Sequence, residues 1–422
     1  MRTERENLTS RDQVDAGAPA AAEQADGVGS RSVLDPLLAN LRGGRLRVRL
    51  PNGSALASHG DDPGLQATLV VERWRALRRL AFGGDIGFAE GYIERDWTSP
   101  DLVALLRLAA RNLDSLRKTI DGVAVFRLVD RLRHLLRGNT RRGSRRNIMA
   151  HYDLGNAFYA LWLDPTMQYS SAIWTGETPD LEAAQARKLD RIVDLLRLEG
   201  GESVLEIGCG WGALARRLAG TKDATVSAIT LSPAQLEFAQ ARAAAEGLDR
   251  RIDFRLQDYR DVRGRFDRIV SIEMIEAVGE AHWPAYFRRL AGSLQSGGRA
   301  VVQAITMDER HYEPYRRNTD FIQKYVFPGG FVPTRSAIAD QAARAGLKIV
   351  AEERFGASYA RTLAEWRRRF HARWAEAAAL GFDDRFRRIW DYYLAYCEAG
   401  FAEGTIDVGL IAMEHDGLAS VA

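Results

Sequence analysis

Val204-Leu205-Glu206-Ile207-Gly208-Cys209-Gly210-Trp211-Gly212-Ala213-Leu214 decides how this 422-residue chain is read. A short apolar run carries one acid near its end. It then breaks into three glycines at alternate positions, ahead of an Ala/Leu/Arg-rich helical pattern. The pattern predicts a buried parallel strand, a tight turn and a helix N-terminus. Glycines there let the backbone approach a ligand closely, and the helix dipole favours a polar or anionic group. Two cofactors use such a turn. A dinucleotide takes G-x-G-x-x-G/A, which Gly208, Gly210 and Ala213 satisfy; S-adenosylmethionine takes G-x-G-x-G, met by Gly208, Gly210 and Gly212. The next strand separates them. A nicotinamide site wants an acid about 20 residues on, to hold the ribose hydroxyls. Thr225-Val226-Ser227-Ala228-Ile229-Thr230 ends without one. Glu206, just before the glycines, suits S-adenosylmethionine, and that reading is adopted.

Around this stretch helix and strand patterns alternate from Leu181 onward. Strands are expected at about 203–207, 225–230, 252–256, 267–273 and 299–305. A late strand follows at Lys348 to Glu352, then two long helices, then a closing strand from Ile406 to Met413. Seven strands ending in a hairpin predict an α/β fold, the Rossmann-like methyltransferase architecture, with its ligand at the carboxyl ends of the strands. Upstream, residues 31–137 read as a small α+β domain. Arg45-Leu46-Arg47-Val48-Arg49-Leu50 alternates as a half-buried strand does, and Pro51-Asn52-Gly53 supplies a turn. Helices are expected at Leu102 to Ala109 and Phe126 to Leu136. Residues 1–30 lack apolar periodicity and are expected to be a disordered tail. Residues 138–146 read as a basic linker and 147–422 as the catalytic domain.

Composition narrows the class. At 46% hydrophobic and 27% charged the chain is globular, and no run approaches a membrane span of about 18 residues. The N-terminus lacks an apolar signal core, so export is not expected. Cys209 and Cys397 make no disulfide framework, which fits a reducing cytoplasm. The net charge is only +3, yet residues 101–146 hold 12 Lys/Arg against 4 Asp/Glu. Such a cluster points either to an anionic partner or to a solvated helix face. No nucleic-acid-binding signature accompanies it, so nucleic acid is not the expected partner.

Further stretches carry a family resemblance. They are His151-Tyr152-Asp153-Leu154-Gly155-Asn156, Met167-Gln168-Tyr169-Ser170-Ser171-Ala172-Ile173-Trp174, Thr230-Leu231-Ser232-Pro233-Ala234-Gln235 and Gln257-Asp258-Tyr259-Arg260-Asp261. With the glycine loop, they resemble the cyclopropane fatty acid synthase family of S-adenosylmethionine-dependent lipid methyltransferases, over roughly 145–415. Gly83-Gly84-Asp85-Ile86-Gly87-Phe88-Ala89-Glu90-Gly91-Tyr92 resembles the N-terminal domain of its phospholipid-acting members. The resemblance implies that Tyr169 and Ser170 bind the methionine portion of the cofactor and that Gly208, Gly210 and Gly212 line its sugar and sulfonium side. Thr230, Ser232 and Gln235 would hold the ribose, replacing the missing acid, with Gln257 and Asp258 near the adenine. From the residues alone, Ser232 reads as a helix cap and Asp258 as a turn residue.

By the same resemblance a methyl group passes to a cis alkene in an unsaturated phospholipid acyl chain. The alkene is a weak nucleophile and the sulfonium a strong electrophile, so the protein must align the two in a dry pocket. A carbocation follows; it needs an electron-rich surface and a base. Family members use bound bicarbonate as that base. Matching its shell onto this sequence gives Glu276, Tyr359 and the Ile305 amide, with Gln303 in place of a His and Ser171 in place of a Cys. Ala277 stands where a His usually follows the Glu. Gln and Ser donate hydrogen bonds but cannot titrate near neutral pH. The expected product is a cyclopropane chain; the alternative, after a hydride shift, is a methylene branch that a partner reductase saturates. Cys397 matches a position sometimes proposed as catalytic, although a buried structural cysteine is the expectation. Glu273 and Glu276 are i, i+3 neighbours if a helical turn starts there, so both could face the pocket; the alternative, favoured for Glu273, is a solvated strand end.

The acyl chain requires an apolar tunnel. Trp366, Phe370 and Trp374, with Phe386, Trp390 and Tyr393, form helical stripes that read mostly as packing. Residues 323–331 read as a lid hinged on glycines. With no span, the protein would sit in the cytoplasm and dock reversibly on the anionic inner face of the membrane. Residues 127–146 would contribute about 1 kcal/mol per Lys/Arg. A homodimer is left open.

Overall fold

The protein, seen in a computed structural model, is described over residues 34–35, 38–58, 64–120 and 154–415. The expected tail over 1–30, the helix over 126–136, the linker 138–146 and His151 to Asp153 lie outside them.

The N-terminal unit runs β1 (Arg45–Arg49), β2 (Ala55–Ala57), β3 (Gln66–Val71), α1 (Arg75–Ile93), β4 (Trp97–Thr98), α2 (Leu102–Arg111) and α3 (Leu113–Ile120). Its sheet has the order β2-β1-β3-β4, with β1 and β3 parallel. The alternation read from β1 is realised: Val48 is buried while Arg45, Arg47 and Arg49 are exposed. Asp101 starts α2 by accepting the Ala104 amide at 2.9 Å. One break was not read. The helix α1 is interrupted at Gly84, with φ 56° and ψ −137°. A Cβ on Gly87 would lie 2.0 Å from the Arg79 carbonyl oxygen. The two halves of α1 therefore fold against each other where only glycine fits.

The second unit begins with α4 (Asn156–Tyr159) and α5 (Leu181–Leu196), then β5 (Ser203–Ile207), α6 (Ala213–Lys222), β6 (Thr225–Thr230), α7 (Pro233–Ala245) and β7 (Ile252–Leu256). It continues through β8 (Phe266–Ile272), α8 (Ile275–Val278), α9 (Trp283–Ser293), β9 (Leu294–Met307), α10 (Glu309–Arg317), α11 (Phe321–Tyr325) and α12 (Arg335–Arg344). It closes with β10 (Leu347–Arg354), α13 (Gly356–Ala372), α14 (Trp374–Ala379), α15 (Asp384–Ala402) and β11 (Ile406–His415). The seven strands order as β10-β11-β9-β8-β5-β6-β7, with β11 antiparallel to both neighbours and the rest parallel. This is the seven-stranded methyltransferase fold. The strand β5 lies in the interior of the sheet between β8 and β6 and is buried from Val204 to Ile207, which is why it reads as a continuous apolar run. Strand order reverses at β5, so the cleft at its carboxyl end is where a ligand binds in such sheets.

Helix α15 joins the units. Tyr92 of α1 donates to Asp391 at 2.5 Å, and Arg367 and His371 of α13 meet the same carboxylate at 2.7 and 2.6 Å. Those contacts hold the Asp391 pKa below the carboxylate range even though burial pushes it up. Arg107 and Arg111 of α2 both donate to Glu403, at 2.7 and 2.8 Å. Among the described residues no helix is long and apolar enough to cross a membrane.

Asp391→Ala removes the shared acceptor of a buried hydroxyl and a guanidinium, and is expected to cost about 3–5 kcal/mol in guanidinium denaturation. Tyr92→Phe leaves Arg367 and His371 paired and is expected to cost about 1–2 kcal/mol. Equal losses would mean that the cationic partners contribute nothing.

Candidate active site

The glycine loop leaves β5 with positive φ at Gly208, Gly210 and Gly212, at 83°, 53° and 79°. The Gly208 and Cys209 amides both donate to the Ile229 carbonyl, at 3.0 and 2.9 Å, fixing the loop to the end of β6. A Cβ at Gly212 would meet Ala239 and Phe254 at 2.9 Å, so that glycine lets α6 pack on its neighbours; one at Gly210 would meet nothing within 4 Å. At the end of β6, Thr230 donates to Gln235 at 2.9 Å and accepts the Ser232 amide at 3.2 Å. Ser232 also caps α7 through the Gln235 amide, at 3.3 Å. The Gln257 amide reaches the Thr230 carbonyl at 3.0 Å, bringing Gln257 and Asp258 beside this cluster. The Asp258 side chain is taken up by Arg260 at 2.6 Å and by the Arg260 amide at 2.9 Å, the turn role read from residue type.

Across the cleft lies the loop carrying Tyr169, Ser170 and Ser171. Helix α5 holds it: Gln185 donates to the Ser170 carbonyl at 3.0 Å and Lys188 to the Ser170 hydroxyl at 2.7 Å. Sequence reasoning missed Lys188. Burial lowers its pKa to about 8, with the charges of Glu273, Asp164 and Glu206 opposing. Glu206 is buried below the glycine loop. Desolvation pushes its pKa up to about 8 against the pull of the Ala215 amide and Lys188. Its Oε2 has no partner among the described residues. A glycine cradle, an orphaned acid and a buried ammonium fit the amino-acid and sugar parts of S-adenosylmethionine.

A second cluster forms where β8 ends beside β9. Glu276 sits on the one-turn helix α8, and its Oε1 accepts the Ile305 amide at 2.5 Å. Its Oε2 is buried without a partner among the described residues. Desolvation, then the neighbouring Glu273 charge, pushes its pKa up to about 8. Glu273 is not a solvated strand end. Held at φ 47°, it turns inward and accepts the Ser171 amide at 2.8 Å, Gln303 Nε2 at 2.6 Å and the Tyr359 hydroxyl at 2.7 Å. The Ser171 hydroxyl is turned away, donating to the Ala172 carbonyl at 3.0 Å, so only its backbone reaches the cluster. A bicarbonate shell was expected of these residues, and it does not fit: the Tyr359, Gln303 and Ser171 donors go to Glu273 and the Ile305 amide to Glu276. Cys397 is half-buried beside the cluster; burial, then Asp320 and Glu273, pushes its thiol up, so no thiolate is available for nucleophilic work.

Both glutamates face a cavity of about 860 Å³. Tyr169, Tyr359, Tyr393 and Cys397 line it together with the glutamates; Leu46, Leu69, Phe88, Leu105 and Leu108 of the N-terminal unit line another part, and His311, Arg317 and Asp320 also border it. Of the two aromatic stripes only Tyr393 lines it. The others pack, as expected: Trp366 against Trp162 and Tyr169, and Trp390 against Phe158. The expected lid is tied at both ends. The Phe331 amide donates to the Glu276 carbonyl at 2.7 Å, and Lys324 and Tyr325 reach Glu90 of α1 at 2.9 and 2.6 Å.

Comparison with known proteins agrees with this geometry. Residues 139–411 match the family described as mycolic acid cyclopropane synthetase. The tuberculostearic acid methyltransferase of Mycobacterium tuberculosis is 41% identical over 86% of this chain and 86% of its own. The cyclopropane-fatty-acyl-phospholipid synthase of Escherichia coli K12 is 35% identical over 85% and 89%. A crystal structure of a mycolic acid cyclopropane synthase complexed with SAH and CTAB superposes with TM-score 0.60 and 30% identity, covering 64% of this chain and 98% of that one.

The raised carboxyls set a pH dependence. In the folded chain Glu206 and Glu276 keep their protons up to about pH 8, whereas their ordinary value is 4.5. The stabilisation is therefore complete below about pH 4.5 and is lost as pH rises toward 8. At about 1.4 kcal/mol per pKa unit the loss is of the order of a few kcal/mol. Glu206→Gln should flatten the fall in denaturation midpoint between these pH values. An unchanged slope would locate the proton elsewhere.

Proposed function

The chain belongs to the mycolic acid cyclopropane synthetase family, S-adenosylmethionine-dependent methyltransferases of lipid acyl chains, and from that premise we propose that it methylates a cis double bond in a phospholipid acyl chain, giving a methylene-branched product. The observation that carries this reading is the cavity, which has Glu273 and Glu276 on its wall and a leucine-rich part that reaches into the N-terminal unit. Its volume, about 860 Å³, is in the range of pockets that enclose a lipid-sized ligand.

The bound cofactor supplies an electrophilic methyl group. The rest is the work of this chain. Gly208, Gly210, Thr230, Ser232, Gln235 and Gln257 would hold the adenosine portion, and Ser170 with Lys188 and Glu206 the amino-acid portion. The leucines exclude water and align the alkene. The Tyr169, Tyr359 and Tyr393 rings face the cationic chain.

Two observations favour the branch. The relative at 41% identity is named a methyltransferase and the one at 35% a cyclopropane synthase. Gln303 and Ser171 also cannot relay protons near neutral pH, so proton removal falls to a carboxyl of the cavity wall rather than to an imidazole relay. A 1,2-hydride shift from the methyl-bearing carbon then makes a tertiary cation before a ring closes. Loss of a proton from the methyl leaves an exocyclic double bond, which a separate reductase would saturate. Ring closure is the second reading, favoured by the family's name. The protein would work at the inner face of the membrane, held by the basic segment.

Expression in a bacterium lacking such enzymes, fed an acyl chain deuterated at both alkene carbons, separates the products. The branch puts both deuteriums on one carbon and adds vinylidene protons to the NMR spectrum; a ring keeps one deuterium on each ring carbon. Lipids that gain no carbon would defeat the enzymatic reading. Anionic phospholipid vesicles should co-sediment with the protein and release it as salt rises; equal binding to neutral vesicles would remove the basic segment from the account.

A further inference from the structure

Resting on the reaction just proposed, we infer that Glu273 is the built-in proton acceptor, standing where relatives would place a free anion, and that turnover needs no bicarbonate. The geometry is that of a bound oxyanion. The Ser171 amide and Gln303 Nε2 converge on Oε1 at 2.8 and 2.6 Å, and the Tyr359 hydroxyl meets Oε2 at 2.7 Å. A carboxylate presents the same planar pair of oxygens as bicarbonate, so the two compete for one set of donors. The Ile305 amide, the remaining donor, is held by Glu276 at 2.5 Å. No donor of the expected shell is left for a diffusible ion.

The backbone supports the same assignment. Glu273 sits at φ 47°, in the left-handed region that side-chain-bearing residues seldom adopt. Such strain persists where the surroundings over-determine it, chiefly at functional sites. Here the conformation aims the side chain back across the sheet edge, into the part of the cavity lined by Tyr169 and Tyr359. Glycine would adopt this φ without strain, and its absent side chain would leave room for an anion among the same donors.

Glu276 takes the complementary part. Two carboxyls three residues apart on one cavity wall do not both ionise readily. Glu273 has three donors and Glu276 one, so the charge settles on Glu273 and the proton on Glu276. The step balances. One C–H bond of the added methyl breaks, its electron pair forms the new carbon–carbon bond, and the proton passes to the Glu273 carboxylate. No oxidant or reductant enters. Solvent takes the proton when the product leaves. Gln303 in place of an imidazole suits this arrangement, because an amide only donates to the carboxylate.

The test uses the full chain, S-adenosylmethionine and unsaturated phospholipid vesicles in carbon-dioxide-free buffer. The parent rate should not change on adding bicarbonate; a severalfold rise would overturn the inference while leaving the proposed reaction intact. No labelled lipid under either condition would sink the reaction itself. Glu273→Gln should lose about 100-fold or more and stay inactive with added anion, because the amide still fills the site. Glu273→Gly should lose as much and then regain at least tenfold with formate or bicarbonate, in a saturable way. Cofactor binding by calorimetry and the thermal midpoint establish that both variants fold. A folded, cofactor-binding Glu273→Gly that no anion rescues, or a Glu273→Gln that retains the parent rate, would overturn the assignment.

Discussion

Two carboxyl groups three residues apart must share the wall of one apolar cavity, and much of the site is arranged around that constraint. Neither Glu273 nor Glu276 can be left uncompensated, since an unpaired charge in such surroundings is costly. Strands β8 and β9 bring the Ile305 amide to Glu276, and helix α13 brings the Tyr359 hydroxyl to Glu273. The loop before α5 adds the Ser171 amide. These donors come from widely separated parts of the chain, so the site exists only once the sheet, α13 and that loop are assembled. The two acids are unequally served, with three donors on Glu273 and one on Glu276, and unequal environments push the pKa values of paired carboxyls apart.

The cavity constrains the rest of the molecule in the same way. Its glutamate-bearing wall belongs to the methyltransferase sheet and its leucine-rich part to the N-terminal unit. A shift between the units would open apolar surface to water, so their relation has to be rigid. The link through α15 meets this need with directional contacts. Asp391 gathers Tyr92, Arg367 and His371, and Glu90 gathers Lys324 and Tyr325. Buried ion pairs of this kind are weak sources of net stability. They do fix register, and here register decides whether the leucines of α2 line up with the glutamates.

The sequence made the sheet legible because β5 is a short apolar run, β6 is rich in small and β-branched residues and β7 alternates apolar with charged residues, and the expected limits of these strands match those found. The glycine loop was legible because its spacing has a backbone cause, a positive φ at each of Gly208, Gly210 and Gly212. Glu273 was legible only in part. Its i, i+3 spacing to Glu276 allowed both acids to face the pocket, while the strand end favoured water; only the packing of β9 and α13 encloses it, and no periodicity reports a contact with Tyr359, 86 residues away. Gly87 and Lys188 were missed for the same reason. The glycine is required by a contact between two halves of one helix. The lysine occupies a position on α5 that reads as ordinary helix surface until the Ser170 loop covers it.

Lys188 also shows what charge the site is built for. It is fully buried, and its pKa is lowered to about 8 by desolvation against the pull of Glu273, Asp164 and Glu206. It is outnumbered there by acids, with Glu276 standing beside Glu273. In such a cleft Glu206 and Glu276 hold their protons to about pH 8, and each keeps one oxygen unpartnered among the described residues. A sulfonium donor brings in a positive charge, and methylation of an alkene passes that charge to the acyl chain. A cation in the cleft favours the ionised form of these acids, so their surplus would match a charge carried first by cofactor and then by substrate. Such matching stabilises developing charge most where water is excluded. A neutral or anionic substrate alone would gain nothing from it, and the burial of so many acids would then have no physical return.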